Sequence, residues 1–141
     1  MMNILNNLHP SLRIEANESA ALSEDISALN KFSCIEIPTD YLNVINEMTE
    51  VEILISDDRY FRIWGPAGCI EMNEEYKVQN YIPDSLAIGD DEGGSALILM
   101  TGEQGFGIYK VGFGNLDAED AEFISESLEN LLTKGNGIDV I

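Results

Sequence analysis

Apolar residues recur along this chain in two rhythms, and the rhythm changes near residue 50. Over residues 19–32, Leu22, Ile26 and Leu29 fall at helical spacing, which predicts a helix. Ser19 or Ser23 suits its start, Glu24 and Asp25 oppose the helix dipole in the first turn, and Lys31 complements its other end. A second helix is expected at Pro38, whose missing N–H is harmless in a first turn. Tyr41, Val44, Ile45 and Met48 share one face of it.

From Val51 the period shortens to two. Val51, Ile53 and Ile55 alternate with Glu52 and Leu54, Asp57-Asp58-Arg59 reads as a turn, and Tyr60 to Trp64 returns, so 51–64 predicts a hairpin. Gly65-Pro66-Ala67-Gly68 breaks it. Residues 69–81 are a mixed polar segment with a short helix expected around Glu71 to Tyr76. Leu86 to Ile88 reads as a strand, 89–94 as an acidic glycine-rich loop, Ala96 to Met100 as a buried strand, and Phe106 to Phe113 as its partner across a turn. A long last helix is expected from Asp117, as cap, to Lys134, with Ala121, Ile124, Leu128, Leu131 and Leu132 on its apolar face and Gly135 at the left-handed stop position. Residues 1–17 carry two patterns: a short helix on Ile4, Leu5 and Leu8 ending before Pro10, and a strand beginning at Leu12 and Ile14. Helices, then strands, then a terminal helix give an α+β class rather than an alternating parallel fold.

Composition narrows the function more than the fold. At 141 residues and 45% apolar content, one domain over 1–141 with a real core is expected. Seven Lys and Arg against 26 Asp and Glu leave a formal charge of -19. A phosphate backbone or an anionic membrane needs clustered cations, and here Arg13, Lys31, Arg59, Arg62, Lys77, Lys110 and Lys134 are scattered, so neither is an expected ligand. No apolar run reaches the roughly 18 residues of a membrane span. Met1 to Leu5 lacks a basic leader before an apolar block, so no signal peptide is expected. Cys34 and Cys69 are read as free thiols of a cytoplasmic protein.

Catalytic chemistry finds little material. The one histidine, His9, lies in the least organised stretch, and three Cys and His residues in total, without short spacing, give no zinc site. Gly105-Phe106-Gly107 and Gly112-Phe113-Gly114 miss the third glycine of a dinucleotide fingerprint. These motifs therefore supply no catalytic residue, no cofactor site and no metal ligand. The loop Asp90-Asp91-Glu92-Gly93-Gly94 leaves alternatives open: a solvated turn, a patch accepting Arg and Lys, or carboxylates for a cation or for acid–base work. Trp64, the only tryptophan, is either a core residue or an aromatic anchor at a cleft. Glu71, Glu74 and Glu75 beside Tyr76 form an acidic run.

Several of these segments occur in a familiar order. Ile35-Glu36-Ile37-Pro38-Thr39-Asp40-Tyr41, Phe61-Arg62-Ile63-Trp64-Gly65-Pro66, Glu71-Met72-Asn73-Glu74-Glu75-Tyr76 and above all Leu86-Ala87-Ile88-Gly89-Asp90-Asp91-Glu92-Gly93-Gly94-Ser95-Ala96-Leu97 resemble the SUKH superfamily, the Smi/Knr cell-wall-assembly regulator type, over about residues 19–135. The last segment resembles that family's central strand, Gly-Asp-x-x-Gly-Gly loop and next strand. The resemblance implies an α+β domain with a central, mostly antiparallel sheet packed by N-terminal and C-terminal helices, and no catalysis. Bacterial members are similar to immunity proteins that neutralise toxins, often nucleases, whereas fungal members are regulators of wall synthesis and signalling. Fungal flanking segments are absent, so a compact bacterial-type member is expected. The expected function is binding of a basic toxin domain through an acidic surface, the alternative being a cytoplasmic regulatory or adaptor protein. Trp64, Glu71, Glu74, Glu75, Asp90, Asp91 and Glu92 are the expected contact surface.

Overall fold

The computed structural model describes residues 3–141. Seven strands form one sheet in the order of the chain, with every neighbouring pair antiparallel. They are β1 (Leu12–Glu18), β2 (Thr49–Ile55), β3 (Arg59–Ile63), β4 (Leu86–Asp90), β5 (Ser95–Gly102), β6 (Gly105–Gly112) and β7 (Glu122–Ser125). Two helices, α1 (Ser23–Phe32) and α2 (Thr39–Ile45), connect β1 to β2; α3 (Pro66–Glu75) and α4 (Val78–Tyr81) connect β3 to β4; α5 (Leu128–Lys134) follows β7. Short 3-10 turns lie at Ile4–Asn6 and Ala118–Asp120. The fold is α+β, as the order of patterns predicted. No helix among the described residues is long and apolar enough to cross a membrane.

The hairpin forms over the expected stretch, but its turn is Ser56-Asp57-Asp58 rather than Asp57-Asp58-Arg59. Arg59 already pairs with Ile55, which sets Glu52 opposite Arg62 and Ile53 opposite Phe61. Val51, Ile53, Ile55, Phe61 and Ile63 are buried. The first helix starts later than its apolar spacing suggested. Glu18 pairs with Thr49, the Thr49 hydroxyl donates to the Ser19 carbonyl at 2.7 Å, and the Ala21 N–H donates to Ile45 O at 2.8 Å. These long-range bonds hold the chain extended up to Leu22, so neither Ser19 nor Ser23 caps the helix; Leu22 stands there without a side-chain bond.

Gly65-Pro66 not only ends the hairpin but starts α3, with Pro66 in the first turn. The mixed segment 69–81 thus holds the last seven residues of α3 and the four of α4, parted by Tyr76 and by Lys77 in the left-handed region at φ 52°.

The largest departure is at the end of the chain. The helix expected from Asp117 to Lys134 is a 3-10 turn, then β7, then α5. Ala121, Ile124 and Leu128 have helical spacing, but β6 offers an unpaired edge, and Glu122 and Phe123 pair with its Lys110 and Tyr109. The Phe123 and Tyr109 rings meet edge to face at 5.4 Å. Tertiary pairing overrides local preference here. Asp117 caps only the 3-10 turn, through the Glu119 N–H at 2.9 Å. Ser127 caps α5 by accepting from Asn130 N at 3.0 Å, and Gly135 ends it at φ 72°.

Strands β3 and β4 share only two paired positions, Arg62 with Asp90 and Ile63 with Gly89. A Cβ on Gly89 would stand 2.1 Å from the main-chain oxygen of Arg62, so the approach of the two strands requires glycine there. Past that point β3 leaves the sheet toward α3, and the freed edge of β4 needs other partners. The fully buried Asn73 of α3 supplies them: its Nδ2 donates to Ala87 O at 2.8 Å and its Oδ1 accepts from Ala87 N at 3.0 Å. A side-chain amide here replaces a strand.

Candidate functional site

Register builds the site. Residues opposite one another on neighbouring strands present side chains on the same face. Glu52, Arg62 and Asp90 are opposite one another across β2, β3 and β4, and so form one row. Arg62 Nη2 pairs with Glu52 at 3.2 Å and lies 4.0 Å from Glu92, while its buried Nε has no partner among the described residues. Glu52 and Arg62 are equidistant from Asp57 at the hairpin turn. The turn expected at 57–59 is centred one residue later, on Asp58, so this opposite-charge pair was not legible in the sequence.

The acidic loop is a tightly bonded turn. Asp90 Oδ1 accepts from the Glu92 N–H at 2.8 Å, and Asp90 Oδ2 from the Trp64 indole N–H at 2.7 Å. Asp91 Oδ1 accepts from Gly93 N at 2.8 Å and Ser95 N at 2.9 Å. Glu92 and Gly94 turn the chain at φ 56° and φ 103°. Both aspartates therefore shape the loop, while Glu92 stands exposed at its tip. Burial, a hydrogen bond with Glu52 and the charge of Glu52 raise the Glu92 carboxyl above its ordinary range.

Next to this row, Glu50 sits in the left-handed region at φ 47° and its Oε2 accepts from Gly65 N at 2.7 Å, directly before α3. Burial raises its carboxyl as well, against the opposing pull of that N–H.

Trp64 is only 3% exposed. Its ring faces Phe113 at 6.4 Å and 23°, and Phe113 meets Tyr76 at 4.3 Å. Tyr76 and Phe113 line an open cleft of about 360 Å³, together with Glu75, Lys77, Tyr81 and Asn115. Glu71 and Glu74 stay on the exposed face of α3. Of the residues the sequence singled out, the fold joins Trp64 and Asp90 directly, links Glu92 to them through the Asp90 carboxylate, and brings Glu75 to the cleft beyond Phe113. Phe113, Tyr81 and Asn73 were missed, since nothing local marks them.

Three groups that could carry covalent or proton-transfer chemistry, Cys69, Tyr41 and His9, are committed to main-chain bonds, while the free Cys34 thiol is exposed and reaches Ser85 O at 3.5 Å. The Cys69 thiol donates to Ala87 O at 3.1 Å, and burial pushes its pKa up to about 12. The Tyr41 hydroxyl, raised by burial and by Cys69, donates to Trp64 O at 2.7 Å. His9 Nδ1 accepts from Ser11 N at 3.1 Å, which ties the imidazole into the turn before β1. Among the described residues, no group of three or more His, Cys, Asp or Glu is arranged to hold a metal ion.

No protein-family model matches the chain, and a search of curated proteins finds no match either.

Proposed function

We propose that this protein is a non-enzymatic binding domain of the SUKH kind, acting in the cytoplasm of a bacterium, whose acidic surface neutralises a basic toxin domain such as a nuclease. One observation carries the reading: the few cations of a chain at -19 are largely used up internally. Arg13 pairs with Glu15, and Arg62 with Glu52 and Glu92. Arg59 donates to the main-chain oxygen of Ile141, and Lys110 to that of Val140. Lys31, Lys77 and Lys134 remain at the surface among exposed carboxylates that include Glu71, Glu74, Glu75 and Glu92.

A net charge of magnitude about 2–8 is enough to keep a small domain soluble. The excess here creates a field that draws in a cationic groove and repels nucleic acid and anionic lipid. Glu71, Glu74, Glu75 and Glu92 are the contact carboxylates, with Asp90, Asp91 and Trp64 as the frame that fixes the loop. The free thiols of Cys34 and Cys69 suit a reducing compartment.

The test is to produce the proteins encoded by the flanking genes and to follow the association kinetics of any basic one among them. As salt rises from about 0.1 M to about 1 M, the Debye length falls from roughly 10 Å to roughly 3 Å. The association rate is expected to fall steeply, and the toxin's activity to be blocked at one-to-one stoichiometry. A rate indifferent to salt, or native partners that are all neutral or acidic, would remove the charge argument and leave the regulatory adaptor as the better account.

A further inference from the structure

We infer that the cleft between the end of α3, α4 and the segment after β6 is a socket for an arginine side chain projecting from a basic protein. This deepens the proposed function and rests on it. Two tyrosines are left in the open here: Tyr81 is 61% exposed and Tyr76 38%. With Phe113 they line a hollow of about 360 Å³. The aromatic wall is braced from behind. Tyr76 lies on Phe113 at 4.3 Å, Phe113 faces the buried Trp64 at 6.4 Å, and Trp64 is anchored to Asp90 at 2.7 Å. Rings held in this way present a π face without the entropy loss of ordering them on binding.

Charge selects the guest. Glu75 lines the cleft, and Asn115, also in its lining, donates to Asp120 Oδ2 at 2.8 Å. Glu71 and Glu74 lie on the same helix as Glu75. Within the lining Lys77 balances Glu75; the surplus negative charge lies around the cleft, in Glu71 and Glu74 of the same helix and in Asp120 bonded to Asn115. An anionic guest would be repelled, and an apolar one would leave the carboxylates unused. A guanidinium uses both features, because it is planar, weakly hydrated, stacks on aromatic faces and takes carboxylates through paired N–H bonds. An ammonium is more strongly hydrated and matches only the charge.

The experiment is an NMR titration of the isotopically labelled full chain at low salt, with N-acetyl-arginine amide and, in parallel, N-acetyl-lysine amide. Saturable shifts are expected for amides in 75–81 and 113–116, with arginine binding more tightly than lysine. Tyr81→Ala and Glu75→Gln alter exposed side chains, so the fold and Trp64 emission should be unchanged while arginine affinity falls about 2- to 5-fold in each. Shifts spread over every acidic face without saturation, equal binding of the two amides, or variants that bind arginine as the parent does would overturn the socket. The same variants, run in the salt-dependent association assay, separate the two claims. If association stays salt-sensitive but the arginine titration fails, only the socket falls; if association is salt-insensitive, the charge reading falls whatever the amides do.

Discussion

The indole N–H of Trp64 donates to Oδ2 of Asp90 at 2.7 Å, while Oδ1 of the same carboxylate accepts from the Glu92 N–H at 2.8 Å. One side chain thus fastens the end of β3 to the end of β4 and also opens the acidic turn. Hydrogen bonds to a charged group are worth about 1.5–3 kcal/mol each, more than neutral ones. Asp90→Ala is expected to lower unfolding stability by about 2–4 kcal/mol. It should also change Trp64 emission and broaden the NMR signals of residues 91–94. Asp90→Asn keeps an acceptor and should lose less. Urea denaturation and tryptophan fluorescence of the two variants check the order; an alanine variant as stable as the parent would refute the anchoring role.

Asn73 is a structural counterpart on the other side of β4. Its amide satisfies both the N–H and the carbonyl of Ala87 where β3 has left the sheet, and Gln79 donates to its Oδ1 at 2.9 Å. Asn73→Leu fills similar volume but strips the Ala87 N–H of its acceptor, while Ala87 O keeps only the Cys69 thiol and Gln79 only Ser85 O. Each buried polar group left unsatisfied costs about 1–3 kcal/mol. The variant is expected to lose about 2–5 kcal/mol in urea denaturation and to speed hydrogen exchange at Ala87. Unchanged exchange at Ala87 would mean that something else covers that edge.

The sequence and the structure agree where the deciding contacts are local. Alternation through Val51, Ile53 and Ile55 sets the hairpin, although the exact turn, centred on Asp57, and with it the pairing of Glu52 with Arg62, emerges only in the folded register. They part where a distant edge decides. Nothing near Glu122 announces that Lys110 will pair with it, so helical spacing that happens to run through Ile124 and Leu128 is misleading. The cleft is hidden for the same reason: Tyr76 and Phe113 are far apart in sequence and meet only because α3 folds back beside the end of β6. Asn73 looked like one more polar residue in an acidic run, although it is fully buried. The acidic loop was visible as a motif, but the inward commitment of Asp90 and Asp91 depended on where Trp64 and Ser95 lie.

Crowding of carboxylates around Arg62 gives the loop region a pH signature. Burial raises Glu50 above its ordinary value of 4.5, with the charges of Glu18 and Asp90 adding to it. Burial raises Glu92 as well, with Glu52 adding a hydrogen bond and a like charge. A carboxyl whose folded pKa exceeds its unfolded one binds its proton more tightly in the native state. Stability therefore falls as pH rises from the ordinary value through the raised one, and the penalty is fully present above that window. Self-repulsion of a chain at -19 gives a slope of the same sign, so the wild-type profile alone does not isolate these two groups. Variants do. Glu92→Gln removes the charge at the loop tip, and Glu50→Gln keeps an oxygen for the Gly65 N–H while removing the other. Both are expected to be more stable than the parent at neutral pH, with the advantage shrinking as pH falls toward 4.5 and additive in the double variant apart from a small coupling. Urea midpoints measured across that range provide the check. A double variant that tracks the parent at every pH would show that these carboxyls titrate as free ones, and the strain assigned to the cluster around Arg62 would have to be withdrawn.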